Sequence, residues 1–312
     1  MSQLMSQVVV GVDGGGSKTH VIVADANGKE LASLIGAASA VRPGDALHSA
    51  EVIGALVRDA LAIAEQVDRP RALVVGVAGV GREPERRALL RALEGEAISE
   101  DVQVVPDAAI AMEDAFGAEG VGVLLVSGTG SVAFGRGPTG EFRRCGGWGP
   151  VCGDEGSGAW IGRRALSVVT SSHDEREPET RLVGAVLTAL ELDEVDQLVA
   201  WAADASPKDL AALAVPVLTL AADRDLRANS ICTIAAEELV LHVRTLARQL
   251  FVDERAAVPV ALSGGMLRRG SFLRRLVEHR LKSAVPGAQL HTEDVVPARG
   301  AVRTALRIRT AP

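Results

Sequence analysis

Twice this chain builds the same pattern. An apolar, β-branched run breaks at a turn of glycine and hydroxyl residues, resumes, turns again at glycine, and continues as a third run. The first copy covers residues 8–12, 20–25 and 30–35, with Gly14, Gly15, Gly16, Ser17, Lys18 and Thr19 at its first turn. The second covers residues 121–126, 132–135 and 141–144, with Ser127, Gly128, Thr129, Gly130 and Ser131 at its first turn. β-branched runs favour strands, and glycine marks the turns between them. Each copy therefore predicts a three-stranded meander. Strand and helix patterns then alternate after the first copy: helix 46–67, strand 72–77, helix 84–93, strand 101–105, helix 108–116. That order predicts an α/β fold with a mixed sheet. Either a diverged internal duplication or common turn chemistry accounts for the match.

The second copy leads into the densest glycine run, residues 145–160, and a helix starting at Gly156. Helical spacing recurs over 179–190, 195–203, 207–222 and 227–252. A strand is expected at 258–262, a helix at 272–284, a short strand at 289–292 and a last helix at 298–309. At 312 residues the chain has the length of two domains of about 100–200 residues each. The expected division is 1–117, completed by 298–312, and 118–297.

Composition narrows the function classes. Apolar residues make up 47% and charged residues 23%, as in soluble globular proteins. A net charge of −7 argues against a nucleic-acid partner. No apolar run reaches about 18 residues, so no membrane partner is expected. The opening MSQLMSQ has neither the basic nor the apolar region of a secretory signal. Cys145, Cys152 and Cys232 form no CxxC pair, which suits a reducing cytoplasm.

Glycine turns let backbone amides approach a ligand, and such amides cradle phosphate oxygens. A third turn, Ser263-Gly264-Gly265, ends strand 258–262. Three such turns at strand ends outweigh any one, which alone reads equally well as a bare hairpin turn. No GxxxxGK[ST] loop is present. Asp13, at the end of the first strand, suits Mg²⁺, which takes one or two carboxylates and keeps most of its waters. Asp107 also stands at a strand end, where it is either a helix cap or a general base. Asp154 and Glu155 sit among glycines, as acceptors for sugar hydroxyls or as caps of the helix near Gly156. Trp148 either stacks on a ligand or plugs a domain junction. His20 reads as structural, and Cys145 and Cys152 as packing residues.

The motifs VDGGGSKT, VPDA, LVSGTGS, CGGWG, GDEGSG and LSGG, in this order, resemble the sugar kinases of the BadF/BadG/BcrA/BcrD ATPase family. The resemblance runs from about Val8 to Phe272. It implies the actin/hexokinase superfamily fold: α/β, two duplicated ribonuclease H-like domains, and ATP in the cleft between them. It implies Mg²⁺ held through water by Asp13, and β- and γ-phosphates held by residues Gly14 to Thr19. Ser127 to Ser131 would form the second phosphate loop, and Ser263 to Gly265 would lie beside adenosine. Asp107 would be the base acting on a sugar 6-hydroxyl. Gly146, Gly147, Trp148, Asp154 and Glu155 would line the sugar pocket. The substrate implied is N-acetylglucosamine, glucosamine or a related hexose, and the assembly a cytoplasmic homodimer.

One loop departs from the pattern. In N-acetylglucosamine kinases it resembles GPSN or GPAN, and its Asn hydrogen-bonds the sugar. Here it reads GAASAVR, with Ala40 in the place of the Asn, which leaves Ser39 and Arg42 as candidate sugar contacts. Two rivals stand beside the kinase reading: an ATPase that activates a redox partner, and a nucleotide-binding sensor without turnover. The position of Cys145 and Cys152 in the sugar loop argues against an iron–sulfur activator. The lack of a helix-turn-helix extension weakens a regulatory role.

Overall fold

The computed structural model describes residues 8–251 and 256–308. The MSQLMSQ segment, Val252 at the end of one expected helix and Arg309 at the end of another lie outside them. The chain forms two compact units, Met1–Gly120 with Val295–Pro312, and Val121–Asp294. The first unit runs β1 (Val9–Gly14), β2 (Thr19–Ala24), β3 (Glu30–Gly36), α1 (Ala46–Ile63), β4 (Ala72–Val77), α2 (Glu83–Glu96), β5 (Asp101–Pro106) and α3 (Asp107–Phe116). The second opens with β6 (Gly122–Ser127), β7 (Ser131–Arg136), β8 (Phe142–Gly146), α4 (Gly149–Cys152) and α5 (Gly158–His173). It continues through α6 (Leu182–Leu190), α7 (Gln197–Asp204), α8 (Pro207–Ala212), α9 (Ala214–Ala222) and α10 (Leu226–Leu250), then β9 (Val258–Ser263), α11 (Phe272–Ala284) and β10 (Ala288–Leu290). The last helix, α12 (Pro297–Ile308), returns to the first unit.

The first sheet has the order β3-β2-β1-β4-β5, with β1–β2 and β2–β3 antiparallel and β1–β4 and β4–β5 parallel. The second has the order β8-β7-β6-β9-β10 with the same directions at each pairing. The repeat seen in the sequence is thus a repeat of topology.

Alternation along β1 explains its two-sided burial. Val8, Val10 and Val12 join Ile53, Val57, Leu89 and Leu93 in one core layer, on the α1 and α2 side. Val9 joins Ile22, Val74, Ala298 and Val302 in the other. Each buried aliphatic side chain contributes about 1.5–3 kcal/mol. Gly11 lies against α12 so closely that a Cβ there would stand 2.3 Å from the Ala298 carbonyl oxygen. Ion pairs lock α12 to α3. The Asp114 side chain is 1% exposed and accepts from Arg299 Nε at 2.6 Å, Arg299 Nη2 at 2.8 Å and the Val296 amide at 2.7 Å. Glu113 pairs with Arg307 at 2.6 Å. The second unit packs its sheet on α10 and α5 around Val123, Leu125, Ile161, Leu239 and Leu246.

Several expected bounds shift for local reasons. The helix expected over 46–67 ends at Ile63, and the chain turns at Glu65, whose φ is 55°. The helix expected over 207–222 is two, α8 and α9, meeting at Leu213. Pro216 accounts for the break, because it has no N–H to give the Ala212 carbonyl and its ring crowds that carbonyl. Helix α5 starts at Gly158 rather than Gly156, capped by the Ser157 hydroxyl, which accepts from the Trp160 amide at 3.2 Å. Among the described residues, no helix is long and apolar enough to cross a membrane.

Candidate active site

In the first unit, the C-terminal ends of the parallel strands collect the chemistry. Asp13 lies in the last turn of backbone of β1, opposite Gly76 of β4. Asp107 opens α3 directly after β5. Strand β4 lies between them, so the two strand ends stand about 10 Å apart, two interstrand spacings. Burial, and then the neighbouring Asp107, push the Asp13 carboxyl up to about 6, with Lys18 pulling the other way. Asp107 keeps a face open to solvent, yet the protein around it desolvates it and raises its pKa. A hydrogen bond from the Ala108 amide at 2.9 Å offsets this in part. The cap position of α3 belongs to Pro106 and carries no side-chain hydrogen bond, so Asp107 is not the helix cap.

The turn between β1 and β2 is tightly laced. The Gly15 amide donates to the Lys18 carbonyl at 2.9 Å, and the Ala78 amide to the Gly14 carbonyl at 2.9 Å. Gly16, Ser17 and Lys18 project into solvent, whereas Thr19 is buried. The Thr19 hydroxyl bonds to Ser39 Oγ at 2.7 Å and to the Ala37 carbonyl. The amides of Ser39 and Ala40 both donate to the Gly15 carbonyl at 3.2 Å. Ser39 is only 2% exposed, and its Oγ lies 2.6 Å from where a Gly14 Cβ would be. Its hydroxyl therefore props the glycine turn from below. Arg42 is exposed and lines a hollow with Leu47, Glu85 and Arg91.

In the second unit, three predicted segments converge. Gly264 has φ 95°, and a Cβ there would stand 2.2 Å from the Ser127 carbonyl oxygen, so the Ser263-Gly264-Gly265 turn lies directly on the Ser127–Gly128 backbone. The Gly158 amide at the start of α5 donates to the Gly128 carbonyl at 2.8 Å, and the Ala159 amide to the Thr129 carbonyl at 3.2 Å. Ser127 Oγ donates to the Gly156 carbonyl at 3.0 Å, and Ser131 Oγ to the Glu155 carbonyl at 2.7 Å. The Gly147 amide donates to the Ser131 carbonyl at 3.0 Å. The SGTGS turn and the segment from Gly146 to Glu155 are thus one hydrogen-bonded assembly.

Asp154 sits at its centre. It is 8% exposed and takes a φ of 60°, a left-handed conformation that aspartate tolerates better than most residues. Burial raises its pKa, and hydrogen bonds from the Ser131 and Gly149 backbone lower it. Neither Asp154 nor Glu155 caps α5, since Ser157 does. Trp148 is 68% exposed and lies beneath the Arg144 guanidinium at 4.6 Å, an open ring suited to stacking. Sequence reasoning missed one member of this group, His242 on α10, 8% exposed and placed under Gly146. A polar residue inside the buried stripe Leu239, Val243, Leu246 was the available signal.

Among the described residues no three His, Cys, Asp or Glu side chains gather to hold a metal. Asp13 nevertheless fits Mg²⁺, which asks for one or two carboxylates and completes its shell with water and phosphate. A divalent cation would relieve the desolvation and mutual repulsion that raise the Asp13 pKa. Cys145 and Cys232 are not poised as thiolates. Burial pushes Cys145 up despite a hydrogen bond from Thr245, and Cys232 to about 12. His20 Nε2 lies 2.9 Å from Ser33 Oγ across the β2–β3 ladder, a structural place.

Comparisons with known proteins agree with this geometry. The model of the BadF/BadG/BcrA/BcrD ATPase family matches residues 10–305. An N-acetyl-D-glucosamine kinase of Dictyostelium discoideum is 28% identical, with 97% of this chain and 99% of that protein covered. An N-acetylmuramic acid/N-acetylglucosamine kinase of Clostridium acetobutylicum is 30% identical, over 85% of this chain and 87% of the relative. A solved structure from Chromobacterium violaceum, provisionally assigned as an N-acetylglucosamine kinase, superposes with a TM-score of 0.77 at 28% identity, covering 96% of this chain and 99% of that one. The fold is accordingly that of the actin-like ATPases, α/β with two ribonuclease H-like units. With its turns, its strand-end carboxylates and residues 10–305 matched by that model, the chain belongs to the BadF/BadG/BcrA/BcrD ATPase family.

Proposed function

We propose that this protein is an ATP-dependent kinase of an amino sugar, N-acetylglucosamine, glucosamine or a related hexose, phosphorylating the 6-hydroxyl. The observation that carries the reading is the placement of Asp13 and Asp107, two desolvated carboxylates, on either side of β4 beside a glycine turn. Phosphoryl transfer needs little else: a base for the hydroxyl, a cation, and donors that clamp phosphate. Asp107, with its raised pKa, accepts the proton of the 6-hydroxyl. Asp13 holds Mg²⁺ through water, and the amides and side chains from Gly14 to Lys18 clamp the terminal phosphates. ATP supplies the phosphoryl group. By the resemblance, the Ser127 to Ser131 turn would bind phosphate and Ser263 to Gly265 the nucleoside. Asp154 and Glu155 accept hydrogen bonds from sugar hydroxyls, with Gly146, Gly147 and Trp148 shaping the pocket. The relatives named as N-acetylglucosamine kinases support the same substrate class.

The test is ADP release with Mg²⁺ and ATP over a panel of hexoses. N-acetylglucosamine or glucosamine should give the highest kcat/KM. Sugar-independent ATP hydrolysis, unchanged across the panel, would sink the reading.

A further inference from the structure

Beneath the segment from Gly146 to Glu155 lies a group that the proposed chemistry does not use. His242 projects from α10, 8% exposed, and its Nε2 stands 2.8 Å from the position a Gly146 Cβ would occupy. Gly146 has φ 77°, so the turn is seated directly on the imidazole. Buried Nδ1 finds no hydrogen-bond partner among the described residues. A buried polar atom without a partner is costly, and a leucine or phenylalanine would fill the same space without that cost. The charged groups that face the ring are Asp154 and Glu155 from the loop above and Glu238 from its own helix, all acidic. Cys145, the titratable neighbour on β8, has its thiol held protonated by burial.

We propose that His242 is a positioning residue that couples sugar affinity to pH: neutral, it seats the Gly146–Gly147 turn so that Asp154 and Glu155 face the sugar; protonated, it draws those carboxylates onto itself. The inference rests on the amino-sugar kinase reading. Burial lowers the pKa of His242, more than the three carboxylates raise it, so the ring is neutral at neutral pH and takes up its proton below the ordinary histidine range. Protonation puts a cation under two carboxylates, of which Asp154 otherwise feels only the Arg163 guanidinium. An ion pair formed there competes with the sugar hydroxyls for the same oxygens.

The experiment is sugar KM and ATP KM from about pH 7.5 down to about pH 5.5, for wild type, His242→Gln and His242→Phe. In wild type, sugar KM should rise several-fold as pH falls, and by more than ATP KM does. Both variants should show a flat sugar KM. Parallel sugar-KM profiles for wild type and variants would overturn the proposal. Should the variants fail to fold, the His242 ring of the wild type can be titrated by NMR with and without saturating sugar. Sugar that binds the neutral form must lower the midpoint, and an unmoved midpoint overturns the proposal equally. Failure of the kinase reading shows itself separately, as a wild type that phosphorylates no amino sugar at any pH.

Discussion

At the scale of single residues, the proposed function gives Asp107 and Asp13 different work with the same functional group. Asp107→Asn keeps shape and hydrogen bonding but removes the base. It should lower kcat roughly 10²–10⁴-fold and leave ATP binding nearly intact, read by steady-state kinetics and nucleotide titration. Wild-type turnover would reduce Asp107 to a bystander. For Asp13 the sign of the pH effect is fixed by its raised pKa. The folded protein prefers the protonated form, so its contribution to stability is present below the unfolded value near 3.8 and is lost as pH rises through about 6. Mg²⁺ binds only the ionised form and reverses that loss. The gain in Tm from MgADP over ADP with chelator should therefore be small near pH 5 and full near about pH 7.5. Equal gains at both pH values would remove Asp13 from the metal. At Ala40, the amide already serves the Gly15 carbonyl, but the methyl offers a sugar nothing. Ala40→Asn should lower KM for N-acetylglucosamine or glucosamine about 2–12-fold, the equivalent of one hydrogen bond of about 0.5–1.5 kcal/mol. An unchanged KM would mean that this side chain does not face the sugar.

At the scale of elements, the joint between α3 and α12 holds the helix that Asp107 opens. Arg299→Ala removes two charge-assisted hydrogen bonds from a carboxylate that is 1% exposed, leaving it the Val296 amide and Arg303 at 3.5 Å. The expected cost is about 1.5–3 kcal/mol, read as a lower Tm by calorimetry, and no loss of stability would contradict the clamp. This joint was not legible in the sequence. Arg299 and Asp114 are 185 positions apart, and no local pattern pairs them. Strands were legible because their cause is local: residues 72–77 form the expected strand to the residue, since a run of six buried apolar and glycine positions has no other place to go. The split of α8 from α9 was also written locally, in Pro216, under a helical period that ran across it. The glycine turns were legible as turns, whereas their lacing depends on distant segments. Ser39 shows this best: the Thr19 hydroxyl, twenty residues away, bonds to it. His242 escaped for the same reason, since its meaning lies in Gly146 rather than in its own helix.

At the scale of the whole molecule, the two sheets repeat one topology but are not closed in the same way. The second unit is one continuous stretch, whereas the first needs α12 to cover the face of Val9, Ile22 and Val74. Deleting residues 295–312 should therefore leave residues 121–294 able to melt cooperatively while the first unit loses its structure. Hydrogen exchange of the truncated protein would check this, and protected amides in β1 and β4 would refute it. The same arrangement sets an order for biosynthesis. Ribosomes add roughly 5–20 residues per second, so β1 to α3 emerge well before the helix that completes their core. The proposed catalytic aspartate is thus among the early residues made and among the late ones fixed in place. A chain released before its final turn of synthesis would carry every glycine turn of the site and still have no ordered base with which to spend ATP.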